Sequence, residues 1–249
     1  MSQDYELEES EPPPRPRTIF NALLFPANRV GLAHIGIYTL CLMLLGLVRS
    51  NTIRIVGLAA GIIALMVAIE LISYLYHCIR ESASGASNAP DSMFADSFDF
   101  SDISFSFGGY FKLEGEYLGM ILPSLICFLP ALLYLIFTEQ FDHIFVILLA
   151  AGTFYFPMLL MAVVLFDSSS GYNPFTHIIS IIKTFFSYCL LVLQVAFVIA
   201  GCVGVVFLFR NALLAAVFLF PIQMYLIMVM MHLLGRFYYL HQDKLNWEV

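Results

Sequence analysis

Apolar residues in this chain gather into long unbroken runs. They do not show the alternation of a half-buried strand or the narrow stripe of a soluble amphipathic helix. The runs cover about 30–48, 55–79, 117–137, 144–166, 188–209 and 213–234. Each is close to the roughly 20 residues that carry a helix across about 30 Å of hydrocarbon. A transmembrane barrel would instead show segments of about ten residues alternating apolar and polar. The pattern predicts an all-α fold: a polytopic helical membrane protein with about six transmembrane helices plus interfacial helices. Pro123, Pro130 and Pro157 fall inside the third and fourth runs. Membrane helices tolerate proline where neighbouring groups satisfy the freed carbonyls.

Polar segments set the boundaries. Residues 1–17 are acidic and proline-rich (Glu6, Glu8, Glu9, Glu11, then Pro12-Pro13-Pro14), the composition of a disordered tail. They lack the basic start and apolar run of a cleavable signal peptide, so targeting is expected to rest on the first span. Residues 18–28 are short and mixed, suited to an interfacial helix that feeds the first span at Arg29. Arg49, Ser50, Asn51 and Arg54 make a tight turn after it. Residues 81–116 form the largest polar insert, Ser/Ala/Asn-rich and then rich in Phe and Asp. A six-span membrane domain is thus expected over 18–239, with a short polar tail at 240–249.

One stretch does not fit a plain series of hairpins. From 174 to 209 there are 36 residues with no strong break. A helix of that length measures about 54 Å, too long for one crossing. Asn173-Pro174 is a favourable helix start, with Asn as cap and Pro at the first helical position. The expectation is an interfacial helix over 174–186, with His177, Ser180, Lys183 and Thr184 on its polar side. The fifth span then follows from about 188.

Composition agrees with the pattern. Hydrophobic residues make up 61% and charged residues 12%, against about 45–50% and about 25% in soluble domains. A net charge of −7 with no basic patch excludes nucleic acid as a partner. Cys41, Cys78, Cys127, Cys189 and Cys202 lie in or at the ends of apolar runs, with no CxxC pair. They read as small buried hydrophobes, so no metal site, disulfide or cofactor is expected. Lys and Arg set the orientation: with both termini cytoplasmic, eight fall inside (Arg15, Arg17, Arg29, Arg80, Lys112, Lys183, Arg236, Lys244) and three outside (Arg49, Arg54, Arg210).

Candidate chemistry is sparse. Glu70 is the one carboxylate inside a span, and such residues default to a functional hypothesis because a charge there costs a few kcal/mol. Ser73 and His77 share its helix face at i+3 and i+7, and His34 in the first span is a further possible partner. These residues suit either a protonatable site for coupled transport or a neutral, hydrogen-bonded packing group. Gly57-x-x-x-Gly61 is a small-xxx-small pattern for close helix packing, and Gly201, Cys202 and Gly204 resemble it. Arg236, Tyr238, Tyr239 and Trp247, with His232 a turn before Arg236, read as anchors at the membrane interface. The Phe/Asp-rich stretch 94–111 lacks an EF-hand pattern and suits a structural cap or a grip on a partner. No GxSxG, HExxH, P-loop or GxGxxG occurs, and no catalytic residue is expected. An intramembrane hydrolase would require Asp167, Ser168 and His177 to converge.

Several elements carry a family resemblance. These are the run Phe156-Pro157-Met158-Leu159-Leu160-Met161-Ala162-Val163-Val164 followed by Asp167-Ser168 and Asn173-Pro174, and the ending Leu234-Gly235-Arg236-Phe237-Tyr238 with Asp243-Lys244-Leu245-Asn246-Trp247. The order of a span ending at Tyr76–Arg80, a polar insert reaching Pro90-Asp91 and a span preceded by Gly115 belongs with them. Together they resemble the bacterial multi-pass membrane family called domain of unknown function 4013, over about residues 30–247. The resemblance implies an integral helical membrane domain in a bacterial cytoplasmic (inner) membrane and transfers no catalytic residues. The insert at 92–111 is richer in Phe and Asp than that family's pattern. The sequence thus points to a non-enzymatic component that organises or binds membrane partners, with the bilayer and a membrane protein or a second copy as its contacts. A small transporter or channel using Glu70 is the alternative.

Overall fold

In hydrocarbon the backbone must satisfy its own hydrogen bonds, so a continuous apolar run has one local solution, the α-helix. The computed structural model describes residues 19–49, 54–90, 107–166, 169–209, 215–245 and 247, and these are helical with short connections. In chain order they form α1 (Ile19–Leu24), a 3-10 turn (Phe25–Ala27), α2 (Arg29–Arg49), α3 (Arg54–Ala83), α4 (Phe107–Thr138) and α5 (His143–Phe166). A second 3-10 turn (Ser169–Tyr172), α6 (Pro174–Lys183), α7 (Phe185–Phe209) and α8 (Ala215–Leu245) follow. The tail at 1–17, the heart of the insert at 91–106, the Asp167-Ser168 pair and the Arg210-Asn211 turn lie outside the described residues.

Among the described residues five helices, α3, α4, α5, α7 and α8, are long and apolar enough to cross a membrane. The protein is therefore an all-α polytopic membrane protein. The first expected span is also a helix, the 21 residues of α2.

The expected break before the fifth span falls at Thr184. Its φ of −118° and ψ of 20° leave the helical region. Its N–H still donates to the Ser180 carbonyl, and its hydroxyl donates to the same oxygen at 2.8 Å. Thr184 thus bridges the turn, since its carbonyl also accepts from the Tyr188 N–H at 2.8 Å. At the other end of α6 the Asn173 side chain accepts from the Phe175 N–H at 3.1 Å, with Pro174 as the first helical residue.

The ends of the elements depart from the hydropathy runs. α4 begins at Phe107, inside the Phe-rich stretch, and α8 runs to Leu245 through most of the expected polar tail. Leu234, Phe237 and Leu245 are buried, and His241 between them is half-buried. Their spacing keeps one helix face, so amphipathic packing carries α8 beyond the point where its hydropathy falls.

α3 packs against α2 and α8, α7 packs on α8, and α4 and α5 form a hairpin. Two glycines set the closest approaches. A methyl group at Gly235 would collide with the Ile79 carbonyl and the Ser82 side chain on α3, and one at Gly152 would collide with the Cys127 carbonyl on α4. The core gathers in the half of the bundle where α2 begins and α3, α5 and α8 end; Tyr76, Ile79, Met158, Met161, Tyr188 and Leu234 are fully buried there. Toward the opposite ends Phe137, Ile147, Phe207 and Leu208 are exposed. Such a surface is a liability in water and is expected of a chain whose solvent is lipid.

Candidate functional site: a closed layer of buried polar groups

The well-packed half of the bundle holds most of the buried polar side chains. His34, Ser73, Ser82, His177, Ser180, Thr184 and His232 are all buried. Burying a polar group without a partner is costly, so the partners decide what such a layer can do.

His34, on the second turn of α2, lays its ring on Tyr74 of α3 with centroids 4.3 Å apart. Its Nδ1 donates to the Val30 carbonyl one turn back, at 2.8 Å. The Tyr38 ring lies 6.2 Å from Tyr74 on the same seam. Glu70 sits one turn before Tyr74 on α3, half-buried. Ser73 is buried beside it and His77 is half-buried one turn beyond Ser73. The structure thus sets the first-span histidine against the α3 segment that carries Glu70, through Tyr74.

His232 of α8 is stacked on Phe25 at 4.1 Å, and its Nδ1 lies 2.8 Å from the Ser82 hydroxyl at the end of α3. One side chain thereby ties three elements together. Nearby the Tyr225 hydroxyl donates to the Leu23 carbonyl of α1.

His177 of α6 is fully buried. Its Nε2 lies 2.9 Å from the Gly171 carbonyl, and its Nδ1 lies 2.6 Å from the Tyr155 hydroxyl. A carbonyl only accepts, so Nε2 carries the proton and Nδ1 accepts from the tyrosine. Burial pushes the His177 pKa below its usual value, partly opposed by the Gly171 carbonyl. The ring is neutral at pH 7, with both nitrogens engaged. No nitrogen is left to act as a base toward a serine. Asp167 and Ser168, the other members of the hydrolase set, lie outside the described residues.

Ser180, one turn further along α6, accepts the Trp247 indole N–H at 2.9 Å. Trp247 also packs on Phe166 at 5.1 Å and on Tyr238 at 5.6 Å, and only 8% of its surface is exposed. This corrects the assignment of Trp247 as an interface anchor: it is a core residue that locks the end of the chain onto α5 and α6. Arg236, Tyr238 and Tyr239 are half-buried, and the Tyr239 ring covers Gly85 where the chain leaves α3 at φ 97°.

The glycines singled out for helix packing differ among themselves. Among the described residues a Cβ placed at Gly61 or Gly204 would meet nothing within 4 Å, whereas one at Gly201 would rest against Leu226 of α8 at 3.6 Å. Gly57 lies on α3 in a stretch whose surroundings are outside the description. The tightest helix contacts among the described residues are at Gly152 and Gly235.

At the other end of the α4–α5 hairpin, the Tyr134 hydroxyl donates to Asp142 at 2.6 Å, and Asp142 accepts from the Phe145 N–H at 3.0 Å. Asp142 caps α5, and the Tyr134 and Phe145 donors hold its carboxyl below the usual range. A cleft of about 530 Å³ opens between this hairpin and α7, lined by Phe128, Leu149, Thr153, Ala200, Gly204 and Phe207 among others. Its one hydroxyl, on Thr153, donates to the Leu149 carbonyl of its own helix. Glu70 does not line it. Among the described residues no group of three or more His, Cys, Asp or Glu is placed to hold a metal ion.

Sequence reasoning missed Tyr74, Tyr155, Ser82 and the Tyr134–Asp142 pair. An aromatic or a serine inside an apolar run gives no local sign of the distant group it meets. The fold and its inward polar layer define an all-α polytopic membrane protein. In comparisons with known proteins the chain matches no family model, no curated protein and no solved structure.

Proposed function

We propose that this protein is a non-enzymatic membrane component that organises or binds other membrane proteins, or a second copy of itself, within a bilayer. The observation that carries this reading is the direction of its polar groups. His177, His232, Ser180, Trp247 and Tyr155 are engaged with one another or with backbone inside the protein. Among the described residues the exposed flanks of the spans and the α5–α7 cleft are largely apolar. A catalyst or carrier needs polar groups aimed at a substrate; a scaffold needs a rigid interior and an apolar exterior. The reading that this component sits in a bacterial cytoplasmic membrane rests on the resemblance to the domain of unknown function 4013 proteins, and the Lys/Arg distribution supports cytoplasmic termini. Crosslinking in native membranes followed by purification is expected to return a defined partner or a second copy. Recovery of the uncrosslinked monomer alone would overturn the reading.

Glu70 favours a second reading, a small transporter or channel. It sits half-buried in the α3 span, one turn from the Tyr74 ring that holds His34. Proton-coupled flux in liposomes that falls in Glu70→Gln would support it. Flux absent from the wild type, or unchanged in the variant, would remove it.

A further inference from the structure

α6 is amphipathic in an inverted sense. An ordinary interfacial helix turns its polar face to water and buries its apolar face in the bilayer. Here the polar face is turned into the protein: His177, Ser180 and Thr184 are buried and hydrogen-bonded there. The outward face carries Phe175, Ile178, Ile179 and Ile182, exposed by 74%, 51%, 52% and 69%. Lys183 is exposed at the margin of that face.

Two further observations say what covers it. The first is continuity. Phe185 and Phe186 are exposed and begin α7, a helix long and apolar enough to cross the membrane from Phe185 to Leu208, so the α6 face runs directly into a lipid-facing surface. The second is the backbone. The start of α6 is closed by Asn173, whose side chain takes the Phe175 N–H and whose carbonyl takes the His177 N–H, while Pro174 has no N–H to satisfy. At its end the Thr184 N–H and hydroxyl both go to the Ser180 carbonyl, and the Thr184 carbonyl accepts from the Tyr188 N–H. These bonds remove part of the end-group polarity that would otherwise oppose placing α6 in hydrocarbon.

We propose that α6 lies in the plane of one lipid leaflet, at the level of the acyl chains, with Phe175, Ile178, Ile179 and Ile182 in contact with lipid tails. Its polar face acts as a tether that keeps it from leaving the bundle. Lys183 lays its stem along the apolar surface and extends its ammonium toward the headgroups. The occupant of the face is lipid, not a protein partner and not water.

The test uses the full chain reconstituted in phosphatidylcholine vesicles, with Phe175→Trp or Ile182→Trp supplying a reporter. Trp247 is buried, and wild-type protein gives its constant background. The added fluorescence is expected to be blue-shifted, to be lost when the lipid carries brominated acyl chains, and to be indifferent to aqueous iodide. Quenching by iodide would place the face in water and overturn the proposal. Resistance to both quenchers would mean that protein covers it, a second copy included, and would overturn it equally. Phe175→Trp exchanges one exposed aromatic for another, so it remains informative if Ile182→Trp does not fold.

Discussion

Trp247 and Ser180 lie 67 residues apart in sequence and meet through one hydrogen bond in a buried setting. Replacing Ser180 by Ala leaves the indole N–H inside the protein without its acceptor, which costs about 1–3 kcal/mol. Ser180→Ala should therefore lower the thermal midpoint in detergent. The Ser180→Ala/Trp247→Phe double variant should lose less than the sum of the two singles, because removing both partners leaves no orphaned donor. Strictly additive losses would show that the bond contributes nothing. His177 makes a prediction of the same scale. Its folded pKa lies below the usual value of 6.5 because burial disfavours the charged ring. Below pH 6.5 the unfolded chain takes up the proton first, so stability is full above that pH and is lost as pH falls through the folded value. The midpoint of wild type should drop between pH 7 and pH 5 more steeply than that of His177→Asn, which has no such proton to bind. Neither pairing was legible in the sequence. The lone Trp follows an aromatic cluster and so looked like an anchor, and His177 looked like the wet side of an interfacial helix. Only the tertiary arrangement shows that the polar side of α6 faces inward.

At the scale of elements, hydropathy located the helices and failed at their ends. The bilayer makes an apolar run a helix almost irrespective of its residues, which is why the runs at 55–79 and 144–166 emerge within α3 and α5. The Thr184 break was legible because 36 residues exceed one crossing. The extension of α8 to Leu245 was not, because the run ends where packing against α5 and α6 takes over. Which glycines matter was not legible either: Gly57-x-x-x-Gly61 has the sequence spacing, while Gly235 has the contact. A methyl group at Gly235 meets the Ile79 carbonyl and forces α3 and α8 apart. Overpacking of this kind costs about 1–3 kcal/mol. Gly235→Ala should thus unfold at lower temperature than wild type. Gly61→Ala, with nothing among the described residues within 4 Å of the added methyl, should match wild type or exceed it by up to about 1 kcal/mol through helix propensity. Equal effects of the two substitutions would mean that α3 and α8 do not cross at Gly235.

Over the whole molecule, the number of crossings determines where the termini lie. α3, α4, α5, α7 and α8 give five, and α6 adds none if it lies in the leaflet plane. An odd total would put the two ends of the chain on opposite sides. We propose α2 as a sixth crossing, because its 21 residues extend about 32 Å as a helix, enough for the hydrocarbon core. His34 near its start meets the second half of α3, so α2 begins where α3 ends and the two run antiparallel. Six crossings would put both termini on one side, and the expectation from the basic residues is that this side is the cytoplasm. Three single-cysteine additions check this with a membrane-impermeant maleimide. Gln140 lies exposed between α4 and α5, and Gln242 lies exposed near the end of α8. Gln140→Cys should label in intact cells, whereas Gln242→Cys and Ser2→Cys should label only after the membrane is opened. Native Cys78 and Cys127 are buried, while Cys41, Cys189 and Cys202 are half-buried, so labelling of the unsubstituted protein is subtracted as background. Labelling of Ser2→Cys but not Gln242→Cys from outside would remove α2 from the crossings. Labelling of both with Gln140→Cys silent would keep six crossings and invert the protein.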